Sequence, residues 1–124
     1  MEYTHFYFLF IIGILLVAVD SIYLYTIKDM FELQIAAVQR VSLQFRLSGA
    51  ILCYLLLILG LYYFIILPKK SVMDAFLFGI VIYGVYETTN YTLLKKWKPE
   101  IVVIDTLWGG VLLAIVTSII YKLK

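Results

Sequence analysis

The sequence predicts an all-α integral membrane protein, a polytopic four-helix bundle with a short amphipathic segment between its first and second spans. Three observations predict it. The 124 residues are 65% hydrophobic and only 15% charged, and the mean hydropathy is +1.03, which leaves too few charges to cover a soluble surface. The apolar residues fall into four runs, at about 6–27, 47–67, 75–94 and 101–121. Each is near the ~20 residues that a helix needs to cross roughly 30 Å of hydrocarbon. Spans of this length leave no room for a second domain, so residues 1–124 are expected to form one four-span transmembrane domain.

The first run lacks the basic leading segment of a secretory signal, carrying Glu2 and His5 instead, and no small-residue cleavage site follows it. It is expected to persist as a mature span. Between Lys28 and Arg46, the residues Phe31, Ile35, Val38, Val41 and Phe45 recur at helical spacing. Asp29, Glu32, Gln39 and Arg40 stand mostly elsewhere around the wheel, so a helix at the interface, or an extension of a neighbouring span, is predicted. Cys53, the single cysteine, lies mid-span, where it excludes an internal disulfide and is expected to pack as a small apolar residue. Two tight loops follow, one around Pro68-Lys69-Lys70-Ser71 and one from Lys95 to Glu100 through Trp97 and Pro99. Short connections imply antiparallel neighbours, so spans two and three, and spans three and four, should pack side by side.

Tyr3, Tyr7, Tyr23, Tyr25, Tyr62, Tyr63, Tyr91, Tyr121 and Trp97 crowd the span ends, where aromatic side chains anchor at the headgroup level. Small residues (Gly13, Ser48-Gly49-Ala50, Gly60, Gly79, Gly84 and Gly109-Gly110) mark close helix approaches within the bundle rather than a dimer seam. Four spans place both termini and the second loop on one face, with Lys69, Lys70, Lys122 and Lys124. Lys28, Arg40, Arg46, Lys95, Lys96 and Lys98 lie on the other, and six against four leans towards that face being cytoplasmic. Lysines outnumber arginines eight to two, a bias of AT-rich genomes that leaves a cellular or a virion membrane open.

Three carboxylates interrupt the spans: Asp20, Glu87 and Asp105. A charge at the bilayer centre costs roughly 2.5–3.5 kcal/mol on insertion scales, so each needs a partner, a proton or water. Asp20 lies eight residues before Lys28, Glu87 eight before Lys95, and Asp105 seven after Lys98. At 1.5 Å per residue, all three sit roughly 10–12 Å below the same face. Arg46 and Gln44 begin the second span at that face, so acids from three helices and a cation from the fourth can meet. One stripe of the third span holds Tyr83, Glu87, Asn90, Tyr91 and Leu94; the fourth aligns Asp105, Trp108, Gly109 and Leu112; the first aligns Val17, Asp20, Ser21 and Leu24. Three acids against one arginine cannot all be ionised and paired, so either a carboxyl holds a proton or another cation enters.

Several chemistries are excluded by what the sequence lacks. It has no Gly-rich phosphate loop, no paired histidines for a metal, and no serine or cysteine with a histidine base within reach. No cofactor and no nucleic-acid partner are expected, an enzyme is disfavoured, and a homo-oligomer is left open. Asn90-Tyr91-Thr92 matches a glycosylation sequon but lies too near the membrane boundary for easy modification.

Two segments also carry a family resemblance. The run from Tyr83 through Glu87 to Tyr91, with Leu94-Lys95 and Trp97, and the run Ile104-Asp105-Thr106-Leu107-Trp108-Gly109-Gly110 resemble the signatures of the predicted membrane proteins grouped as domain of unknown function 2177. Asp20-Ser21-Ile22-Tyr23-Leu24 is similar to that family's acidic motif, and Gln44 through Tyr54 to its second span. The chain departs from the pattern at Glu87 (aspartate expected), Thr88 (an apolar residue) and Tyr23 (tryptophan). The resemblance implies four helical spans and no assigned activity, and it points towards lipid-modifying enzymes as neighbours.

The expected function is a small module that binds or conducts a proton, a monovalent cation or a polar lipid head group. Asp20, Glu87 and Asp105 would bind, Arg46 would balance charge, and Asn90 and Tyr83 would orient. The rivals are a structural component of a cellular or virion membrane whose polar core only fixes helix packing, and an accessory subunit of a lipid-modifying enzyme.

Overall fold

The computed structural model describes residues 2–39 and 46–123, with the side chains of residues 2–4 and 38–39 outside that description. Among the described residues the chain forms α1 (Glu2–Thr26), α2 (Lys28–Gln39), α3 (Leu47–Leu61), α4 (Val72–Leu93) and α5 (Pro99–Leu123), with no strand. α3 runs on into a π-helical turn, Tyr62–Ile66. Four helical stretches are long and apolar enough to cross a membrane: His5–Thr26, Leu47–Ile66, Val72–Leu93 and Pro99–Leu123. The protein is therefore an all-α, four-span membrane bundle with a short helix after its first span, as expected.

Local chemistry sets the helix ends. Ser71 caps α4: its hydroxyl accepts from the Asp74 backbone N–H at 3.0 Å, while Asp74 accepts from the Ser71 N–H. Pro99 opens α5, where its missing N–H costs nothing. After the π-turn the chain leaves through Lys69, whose φ of 62° is left-handed. Lys69 N–H donates to Ile66 O and Lys70 N–H to Ile65 O, a helix stop that usually employs glycine. A side chain at this position costs about 1–2 kcal/mol. Past Thr26 the backbone ladder continues, from Ile27 N–H to Tyr23 O and from Phe31 N–H to Ile27 O, so α2 prolongs α1.

The spans do not pack in chain order. α1 lies against both α3 and α5, and α5 lies along α4, giving the order α3, α1, α5, α4. The α4–α5 seam is the tightest, and glycine makes it so. A Cβ at Gly79 would strike the Gly109 carbonyl, one at Gly109 the Tyr83 ring, and one at Gly110 the side chains of Ile80 and Phe76. Between helices in lipid there is no hydrophobic drive, so close van der Waals approach of this kind supplies the attraction. The short turn at 68–71 does not produce a second such seam. α3 is not packed along α4, contrary to the expectation that spans two and three lie side by side. Large rings hold that side apart: Phe78 stands over Gly60 and meets the Phe64 ring at 5.8 Å between centroids.

The apolar core fills the half of the bundle nearest the termini, with Ile12, Leu16, Leu61, Ile66, Leu112, Leu113, Val116 and Ile120 all enclosed. Large apolar side chains such as Phe6, Phe10, Leu56, Val81 and Val85 cover the outside. On a soluble protein that would be an aggregating surface; here it faces acyl chains. Cys53 is among the outward-facing residues rather than packed inside.

A candidate acidic centre within the bundle

The half of the bundle away from the termini is polar inside. Asp20, Glu87 and Asp105 are 6%, 0% and 8% exposed, so all three carboxylates turn away from lipid. The inward stripe on α1 is Ile12, Leu16 and Asp20, with Val17, Ser21 and Leu24 outward; the stripe expected around Asp20 is thus rotated. On α5 the predicted face holds, with Asp105, Gly109 and Leu112 buried and Trp108 half-buried.

Among the described residues no cation pairs with these acids. Aromatic donors do. Asp20 Oδ1 accepts from Trp108 Nε1 at 2.8 Å, and its Oδ2 accepts from the Tyr54 hydroxyl at 2.5 Å. Asp105 Oδ1 accepts from the Tyr23 hydroxyl at 3.1 Å. Glu87 Oε1 accepts from Trp97 Nε1 at 2.8 Å. The Tyr23 and Trp108 rings stack at 4.6 Å with 5° between their planes, joining the Asp20 and Asp105 halves. Tyr23 lies within electrostatic reach of all three acids, and Glu87 and Asp105 act directly on one another. Glu87 Oε2 is the exception to this pattern: it is buried with no hydrogen-bond partner, as is Thr106 Oγ1 on the same seam.

The remaining residues predicted for the site are placed as follows. Tyr83 is half-buried with its ring against Gly109, within electrostatic reach of Asp20 and Asp105 but without a hydrogen bond to either. Asn90 is half-buried beside Tyr86 and makes no hydrogen bond to the three carboxylates. Arg46 precedes α3 and is exposed, and among the described residues it forms no ion pair with the acids. The helix that was expected to bring a cation brings Tyr54 instead, eight residues along or roughly 12 Å deeper. Gln44, Val41, Phe45 and the side chain of Val38 lie outside the described residues.

The donors were the part that sequence reasoning missed. Their position at span ends predicts interface anchors at Tyr23 and Trp97, yet Trp97 is 3% exposed and the half-buried Tyr23 bonds to Asp105. Tyr7, Tyr25, Tyr63 and Tyr91 do face outward, as anchors should. A usable signal was present: Tyr23 and Trp108 each stand three residues from an intramembrane acid, which is one helical turn.

A clamp covers the centre. Gln34 on α2, 3% exposed, donates from Nε2 to Lys96 O at 2.6 Å and accepts at Oε1 from Lys98 N–H at 2.8 Å. Phe31 meets Trp97 edge-on at 6.2 Å. Thus α2 holds the 96–98 turn, and that turn holds Trp97 on Glu87.

This arrangement joins the two segments that resembled family signatures, on α4 and α5. The family's profile matches residues 4–122 and is described as predicted membrane protein (DUF2177). The chain belongs to the DUF2177 family. No curated protein and no solved structure is matched by it. As a DUF2177 protein with four spans, it resides as an integral protein in the lipid bilayer.

Proposed function

We propose that Glu87 and Asp105 form an intramembrane proton-binding site, and that this small multi-pass protein uses it to bind or pass protons. The observation that carries the reading is Glu87 Oε2, fully enclosed, reached by no N–H or O–H donor, and beside the Asp105 carboxyl. A neutral Glu87 removes the cost of two adjacent buried negative charges and supplies a donor where one is missing. A proton is favoured over a metal cation because no group of three His, Cys, Asp or Glu side chains stands together among the described residues. Asp105, slightly exposed and bonded to Tyr23, is the member through which a proton would exchange.

The test is infrared titration of the protein in bilayers. Wild type should show a carboxylic-acid C=O band at neutral pH that Glu87→Gln removes while the helix content stays unchanged. Absence of such a band in folded wild type would reject the site.

A second reading rests on a different observation. Among the described residues, every donor to these three acids comes from another element, joining α3 and α5 to Asp20 of α1, α1 to Asp105 of α5, and the 96–98 turn to Glu87 of α4. On this reading the centre fixes helix packing alone. It predicts that Glu87→Gln changes stability without changing proton flux into liposomes.

A further inference from the structure

The end of the bundle away from the acids holds a second feature. Between the π-turn and α4 runs a groove of about 380 Å³ walled by Phe64, Ile65, Leu77, Phe78 and Val81. Lys70 and Asp74 stand at its mouth. Val81, the wall residue nearest the acids, is six residues before Glu87 on α4, roughly 9 Å, and none of Asp20, Glu87 and Asp105 lines the groove, so its occupancy does not depend on the proton reading.

We propose that this groove binds one anionic phospholipid, its acyl chain between α3 and α4 and its phosphate on Lys69 and Lys70. Shape argues for a chain rather than a helix, because the turn at 68–71 joins the two walls covalently at one end and the Phe64 and Phe78 rings, one from each wall, stand only 5.8 Å apart. Charge argues for an anion. Lys69 and Lys70 are exposed and, among the described residues, in no ion pair, whereas the nearby carboxylate, Asp74, is engaged in the α4 cap. The backbone adds a third argument. Lys69 occupies a left-handed position, φ 62°, that glycine fills without penalty. A non-glycine residue in that conformation is the kind of strained feature that clusters at ligand-holding sites. Lys69 also follows Pro68 at the end of the apolar run, the depth at which lipid phosphates lie.

The experiment is native mass spectrometry of the full chain, released from bilayers of phosphatidylglycerol and phosphatidylcholine with identical acyl chains, alongside thermal melting. Wild type should retain one phosphatidylglycerol in preference to phosphatidylcholine. A juxtamembrane lysine contributes about 1 kcal/mol, so neutralising each one should lower that retention about fivefold. Lys69→Gly is decisive, because relief of the left-handed strain should raise the melting temperature while retention falls, separating lipid loss from unfolding. Lys70→Gln should lower retention similarly, and Leu77→Trp, which fills the groove, should remove both lipids. Equal retention of the two lipids by wild type would overturn the proposal. So would an unchanged preference in the doubly substituted protein, or a lipid-free dimer that Leu77→Trp splits, which would seat a second copy in the groove.

Discussion

Two helical hairpins in this molecule are joined by turns of similar length and pack differently. α4 and α5 pack closely along one another, whereas α3 and α4 make few close backbone approaches. The difference lies in which side chains face the partner helix. Gly79, Gly109 and Gly110 let α4 and α5 approach until main chain meets side chain, whereas Phe64 and Phe78 prop the other pair apart. A short loop therefore sets adjacency at one end only. What happens along the remaining ~30 Å is decided by residue size, because lipid offers no reward for merely burying apolar surface. The loose pair leaves a groove, and the tight pair carries two of the three acids.

The largest effect should come from breaking the tight seam. Gly109→Val places atoms where the Tyr83 ring lies, and α4 cannot retreat without also uncovering Glu87. Overpacking usually costs about 1–3 kcal/mol, and the upper end is expected here because Gly79→Leu, the reciprocal change, meets backbone rather than a flexible tip. Either variant should lower the melting temperature of the purified protein sharply. Gly49→Ala has nothing within 4 Å to meet and should leave it unchanged. Equal behaviour of the three would show that close glycine contact is not what holds α4 to α5.

The next effect concerns how α3 is held, since α4 does not hold it. The bonds from Tyr54 and Trp108 to Asp20 tie α3 through α1 to α5. Asp20→Ala strands both donors in the interior, at about 1–3 kcal/mol for each group left unsatisfied. Asp20→Asn keeps one acceptor oxygen and should cost less. Distance measurements between labels on α3 and α5 should broaden in the alanine variant and stay narrow in the asparagine one. Broadening in neither would mean that the apolar core alone holds α3 in place.

How much of this was legible beforehand follows from the same contrast. Span number and the burial of the acids could be read from the chain, because both depend on hydropathy, which is local. That Asp20, Glu87 and Asp105 turn inward followed from the cost of exposing them to lipid. The order α3, α1, α5, α4 could not be read, because it depends on pairwise fit between helix faces, and loop length proved a poor guide to it. The aromatic donors were hidden for a related reason. A tyrosine or tryptophan near a span end serves equally as an interface anchor or as an inward hydrogen-bond donor, and only the rotation of the helix separates Tyr23 from Tyr25. Arg46 looked like a counter-ion because charge balance suggested one, yet neutral N–H and O–H groups reach acids from half-buried positions without bringing a second charge to desolvate.

The smallest effect should appear where α2 meets the tight hairpin. Gln34 grips both sides of the 96–98 turn through its two amide ends, so two substitutions there separate geometry from covering. Gln34→Glu keeps an acceptor for Lys98 N–H but replaces the donor to Lys96 O with a second oxygen facing a carbonyl. Gln34→Ala removes both bonds and leaves the Lys98 N–H to water. A neutral hydrogen bond contributes about 0.5–1.5 kcal/mol net, so alanine should speed hydrogen exchange at the Lys98 amide roughly tenfold while global stability changes little. Glutamate, holding that amide but repelling Lys96 O, should protect Lys98 better than alanine does and still loosen Trp97 from Glu87, visible as a red-shifted tryptophan emission. Exchange at Lys98 that ignores both substitutions would show that α2 rests on the turn without clamping it, and the tight hairpin would then owe its ordered end to Trp97 alone.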